Sequence, residues 1–145
     1  MGSRLTGIES IEESAYIEAT AASILANTAG AVEIRLWIGM VRNSNCIGDY
    51  TDTNCAYPRY AFTWADKYVS NNIMMDFWNT ANPNNQNYNQ SCVQMSVQQV
   101  SGGGTYGRSS YYDDVACENL ATITSNTMYA CGMPAPIVRF VNAPM

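Results

Sequence analysis

Five cysteines and no histidine constrain this chain more than any other feature of its sequence. The cysteines stand at Cys46, Cys55, Cys92, Cys117 and Cys131, and no two of them form a C-x-x-C pair. A zinc site would have to use thiolates or carboxylates alone, at spacings foreign to structural zinc. A disulfide framework is the better reading, and it places the protein in an oxidising, extracellular compartment. The alternative is a set of free, buried thiols. Cys46 and Cys55 lie in one loop with eight residues between them and can close it locally. An odd count leaves one thiol over. Without histidine, neither a Ser-His-Asp nor a Cys-His arrangement can form within the chain.

Length fits one domain, residues 1–145, with enough chain for a real core. Charged residues are 13% of the total, about half the usual share. Asn, Gln, Ser, Thr and Tyr fill the gap, which suits polar extracellular loops. The formal net charge is −5 and no basic run occurs, so nucleic acid is not an expected partner. No apolar stretch approaches the length of a bilayer span, and no membrane insertion is expected. Met1 to Ser10 hold no apolar run of the signal-peptide kind. Ser101 to Gly104 lacks the lysine and following helix of a phosphate loop and reads as a flexible loop.

Along the chain, Ser10 and Glu13 form a capping box that opens a helix. Ile11, Ala15, Ala19, Ala22 and Ala26 then recur at helical spacing, and Asn27 to Gly30 is the stop. Ala31 to Val41 alternates with period two and predicts a strand, buried on both faces at its Trp37 end. Arg42 to Tyr60 has no period. Short strands are expected at Ala61 to Trp64, Ser91 to Val100, Tyr129 to Met133 and Ile137 to Val141. Residues 79–91 and the stretch up to Asp114 read as long polar loops, ordered and functional.

The order of these features resembles the C-type lectin-like family over nearly the whole chain, from Leu5 to Met133. Trp37-Ile38-Gly39-Met40 looks like the family's W-I-G-L strand. Trp64 and Trp78 stand where the family places tryptophans, Trp78 four residues before Asn82. Cys92-Val93-Gln94-Met95 looks like C-V-x-M, Asp113-Asp114-Val115-Ala116-Cys117 like N-D-V-x-C, and Tyr129-Ala130-Cys131 like the closing F-x-C strand. The fold so implied is α+β, with short, mostly antiparallel strands, a helix and a long irregular ligand-binding loop. The resemblance pairs Cys92 with Cys117. It assigns Cys131 to a cysteine upstream of Leu5, leaving Cys131 unpaired here. It also implies that the domain lacks the family's first strand and first helix, exposing a sheet edge. The Cys46–Cys55 pair resembles a subset of secreted invertebrate members.

In sugar-binding members of that family a calcium ion sits in the long loop and bonds two sugar hydroxyls. Their motif is E-P-N or Q-P-D, with a cis proline, and here it reads Asn82-Pro83-Asn84. Carried over, the calcium and carbohydrate ligands are Asn82, Asn84, Gln90, Asp113 and Asp114. Only the two aspartates are charged, against three acids in the usual set, so calcium affinity is expected to be low or absent. On the residues alone, Asn82 to Asn85 is a turn and the aspartates a solvated loop end. Tyr88, Tyr106 and Tyr111 are candidates for stacking on a ligand, whereas Tyr112 suits core packing. Asn89-Gln90-Ser91 is an N-glycosylation sequon at Asn89, beside a proposed ligand. The expected function is carbohydrate binding, calcium-dependent or not, in a recognition or innate-immune setting. The alternative is a calcium-independent domain that binds a protein or other non-sugar ligand. No acid–base pair with catalytic geometry is visible, so no enzyme is expected.

Overall fold

Strict alternation from Glu33 onward produces the central strand. In the computed structural model, which describes residues 4–48, 52–69, 77–78, 81–98, 111–118 and 126–132, the elements in chain order are β1 (Arg4–Leu5), α1 (Ile11–Ala26), β2 (Glu33–Arg42), α2 (Pro58–Ala61), β3 (Phe62–Trp64), β4 (Cys92–Gln98), β5 (Tyr111–Val115), β6 (Asn126–Tyr129) and β7 (Cys131–Gly132). Ile34, Leu36, Ile38 and Met40 point to the core face of β2 and are buried. Each such side chain contributes roughly 1.5–3 kcal/mol. Trp37 to Met40 is buried on both faces, as the bulk at that end predicts.

Both edges of β2 are used. On one side β4 runs antiparallel, from Glu33↔Gln98 to Trp37↔Gln94, with a register shift before Val41↔Cys92. β5 then adds antiparallel to β4 through Met95↔Tyr112 and Val93↔Asp114. The other side is shared: β6 lies parallel to Ile34–Trp37, and β3 antiparallel to Met40–Arg42. α1 packs against β2 and β4. β1 pairs with β7, Leu5 opposite Cys131, so the edge expected to be bare at Cys131–Gly132 has a partner. Thr6 continues that pairing, donating to Ala130 and accepting from Gly39 N at 2.7 Å. Gly39 is required there, because a Cβ would come within 2.5 Å of the Leu5 carbonyl oxygen.

The helix begins as its capping box predicts: the Ser10 hydroxyl accepts from Glu13 N at 3.1 Å. The Glu13 carboxylate reaches back to Glu9 N rather than to the cap itself. The buried stripe differs from the expected one. Ser14, Ala21 and Leu25 face the core, while Ile11, Ala19 and Ala26 are exposed. Alanine marks a helix face weakly, so the docking of Leu25 and Ile8 sets the rotation instead. A second correction concerns Tyr111 to Val115, expected as loop and found as β5. The closing strand is also divided, with a break at Ala130. Ser101 to Gly104, Tyr106 and Ile137 to Val141 lie outside the described residues. Cys46 is joined to Cys55 and Cys92 to Cys117. Loop closure of these lengths stabilises by about 3 kcal/mol each in the chain-entropy account. Cys131 is exposed and unpaired.

Candidate functional site

Parity along two strands builds the site. Arg42 shares the core face of β2 with Met40 and Ile38, so its guanidinium points where water cannot follow. Asp114 shares the core face of β5 with Tyr112. The two side chains meet at 2.6 Å, Arg42 Nη2 donating to Asp114 Oδ2, at 1% and 0% side-chain exposure. The Arg42 guanidinium also lies 4.5 Å over the Phe62 ring, and Phe62 packs on Trp78, which meets Tyr112 edge-on.

This pair anchors the polar loop. Asp114 Oδ1 accepts from Asn84 N at 2.9 Å, and Oδ2 from Asn85 N at 2.8 Å. Arg42 Nε donates to the Gln90 carbonyl at 2.6 Å, and Arg42 N to the Ser91 carbonyl. Asn85 is buried and spans to the loop of the first disulfide, donating to the Gly48 carbonyl at 3.0 Å. The Asn82–Pro83 bond is cis. Asn85 and Asn87 take positive φ, a conformation that Asn tolerates.

All five residues singled out in the sequence come together here, linked by hydrogen bonds. Gln86 N donates to Asn84 Oδ1 and to Gln90 Oε1. Because a backbone N–H can only donate, it fixes the orientation of both amides. Asn84 Nδ2 then donates to Asn82 Oδ1, and Asn82 Nδ2 to Asp113 Oδ1, each at 2.6 Å. Asp114 is not the solvated loop end that its neighbours suggested: it is fully buried. Asp113, on the opposite face of β5, is half-buried. Burial raises its pKa above the ordinary carboxylate value, the nearby Asp114 charge raises it further, and Arg35 opposes.

The fit of this set to calcium is poor. Calcium takes about six to eight oxygens and gains affinity from acidic ones. Each of the five side chains already lends oxygen to an internal donor, and the buried acid faces a guanidinium. Among the described residues no three His, Cys, Asp or Glu side chains cluster as a metal site would require. What the arrangement offers instead is a rim of amides. Asn84, Gln86 and Asn87 are exposed, as are Asn89 of the sequon and the Tyr88 ring. Ile47, beside the Gly48 contact, is exposed as well.

Sequence reasoning missed Arg42 and Asn85. Arg42 carried a usable signal, since it falls on the apolar parity of β2, where a charge demands a buried partner. Asn85 carried none. A separate groove of about 280 Å³ lies between α1 and β6, lined by Tyr16, Ile17, Ile24, Met128 and Cys131 among others. It is apolar, without the convergent polar groups of the loop. Among the described residues no helix is long and apolar enough to cross a membrane.

No curated protein matches the chain. The family model described as C-type lectin domain-containing protein 141/158 matches residues 1–134. That match covers the strands, the disulfides and the cis-proline loop alike, and the chain belongs to this C-type lectin domain family.

Proposed function

We propose that this domain is an extracellular recognition module whose ligand face is the loop 82–90 together with Asp113, and that its ligand is a glycan. The observation that carries the reading is the hydrogen-bonded chain Asn84–Asn82–Asp113 at the surface of a buried ion pair. Amides and a carboxylate held in fixed orientation present both donors and acceptors, which is what vicinal hydroxyls require. Tyr88, 60% exposed at the rim, offers an apolar face of the size of a sugar ring. The domain acts by binding and not by catalysis.

A panel of immobilised glycans tests this, with free monosaccharide as competitor. Wild-type capture that is competed by monosaccharide, and reduced at least about tenfold by Asn84→Ala, supports the reading; about 1.4 kcal/mol of lost contact suffices for that. Capture unaffected by Asn84→Ala and by Tyr88→Ala counts against it. A protein ligand is the second reading. Its support is the exposure of two large apolar groups, Ile47 and Tyr88, in the two segments that the Asn85–Gly48 hydrogen bond joins, which suits a protein anchor better than a sugar.

A further inference from the structure

We infer that the Arg42 guanidinium is the resident cation of this loop, and that the domain recognises its ligand without calcium. This deepens the proposed function and rests on the loop 82–90 being the ligand face. In the family that the chain belongs to, the resemblance of Asn82-Pro83-Asn84 and Asp113-Asp114 to ligand motifs would assign the positive charge to a divalent ion. Here the charge is already in the chain. Arg42 Nη2 is 2.6 Å from Asp114 Oδ2, and both side chains are shielded from water. Asp114 completes its coordination with Asn84 N and Asn85 N, which receive nothing better from a metal, since an N–H cannot bind one. A divalent ion reaching Asp114 would have to compete with the guanidinium that already holds Oδ2, inside a site where both side chains are buried.

The second half of the argument is what Arg42 does for the loop. A loop-bound metal would tie together the two limbs of the cis-proline turn and the strand carrying the aspartates. Arg42 makes two of those ties itself, Nη2 to Asp114 on β5 and Nε to the Gln90 carbonyl at 2.6 Å. Asp114 makes the third by accepting from Asn84 N and Asn85 N, while the Phe62 ring packs 4.5 Å from the guanidinium. On each remaining side chain one oxygen is engaged from within. Asn84 Oδ1 and Gln90 Oε1 take Gln86 N, Asn82 Oδ1 takes the Asn84 amide, and Asp113 Oδ1 takes the Asn82 amide. The loop is therefore held in its binding shape before any ligand arrives, which lowers the ordering cost of binding.

The test is thermal unfolding of the oxidised protein in millimolar calcium chloride and again in chelator. Wild type is expected to melt at the same temperature in both, and Arg42→Lys likewise, because the charge stays in place. Arg42→Gln, which frees Asp114, is expected to melt lower in chelator and to regain several degrees in calcium. A calcium-dependent rise of several degrees in wild type, abolished by Asp114→Asn, would overturn the inference. So would a folded Arg42→Gln that is indifferent to calcium. Should Arg42→Gln not fold, the wild-type and Arg42→Lys melts decide alone. None of these readings involves a glycan, so a failure here leaves the location of the ligand face untouched, and a failed glycan screen leaves Arg42 in its role.

Discussion

Gln94 sits on β4 with 1% of its surface exposed, and neither of its amide atoms has a hydrogen-bond partner among the described residues. Leaving such a group buried costs about 1–3 kcal/mol, whereas an apolar side chain of the same shape carries no such penalty. Gln94→Met is accordingly expected to stabilise the domain by about 1 kcal/mol in chemical denaturation, with unchanged slope; a loss of stability would mean that the amide has a partner in solution. Next to it in the cross-strand row is Asp113, whose pKa is raised first by burial and then by Asp114. The sign follows from linkage. The folded protein holds this proton more tightly than the unfolded chain, so the stability that belongs to the group is greatest in acid. It is lost as pH rises from the ordinary value of 3.8 through the higher folded value. Asp113→Asn removes that loss. The difference in melting temperature between variant and wild type should be small at the acid end and widen in favour of the variant as pH rises; a difference constant with pH would show that Asp113 titrates normally. Tyr112 was legible as a core residue, and it is 1% exposed. The burial of Asp114 was not, because nothing local distinguishes it from Asp113. Only the alternation of β5 separates the two, and β5 itself was hidden in a polar stretch.

Elements with a period or a cap were legible; elements defined by long-range pairing were not. β2 shows itself by alternation, and α1 by Ser10 and Glu13. Ser10→Ala should cost about 1 kcal/mol through the lost bond to Glu13 N, read as a lower denaturant midpoint. β5 and the divided closing strand exist because β4 and β2 offer them edges, information that lies far away in the chain. The short β1 depends on one glycine. Gly39→Ala would press a methyl into the Leu5 and Thr6 backbone and should cost about 1–3 kcal/mol. Amide exchange should then rise first at Thr6 N, which donates to the Ala130 carbonyl, and at residue 39 N, which donates to the Thr6 carbonyl. Unaltered protection at both would show that β1 is held by other means. The rotation of α1 was misjudged for a related reason: a run of alanines permits several faces, and packing chose the one with Leu25.

At the scale of the whole molecule, the sheet and two disulfides hold a polar loop against a buried ion pair whose partners are 72 residues apart in sequence. The resemblance named five residues that hydrogen bonds bring together in this loop, but not their relation to the buried ion pair, since that depends on Arg42. Two surfaces of different character compete for a ligand, the polar rim at residues 82–90 and the apolar groove between α1 and β6. Which of them receives the ligand is the central question. The most direct measurement is a heteronuclear NMR titration of the oxidised domain, in chelator, with the strongest glycan from the panel. The expected result is saturable shifts at Asn84, Gln86, Tyr88 and Asp113, with Tyr16 and Met128 unmoved. Shifts centred on α1 and β6, or shifts at the loop that appear only after calcium is added, would contradict the account.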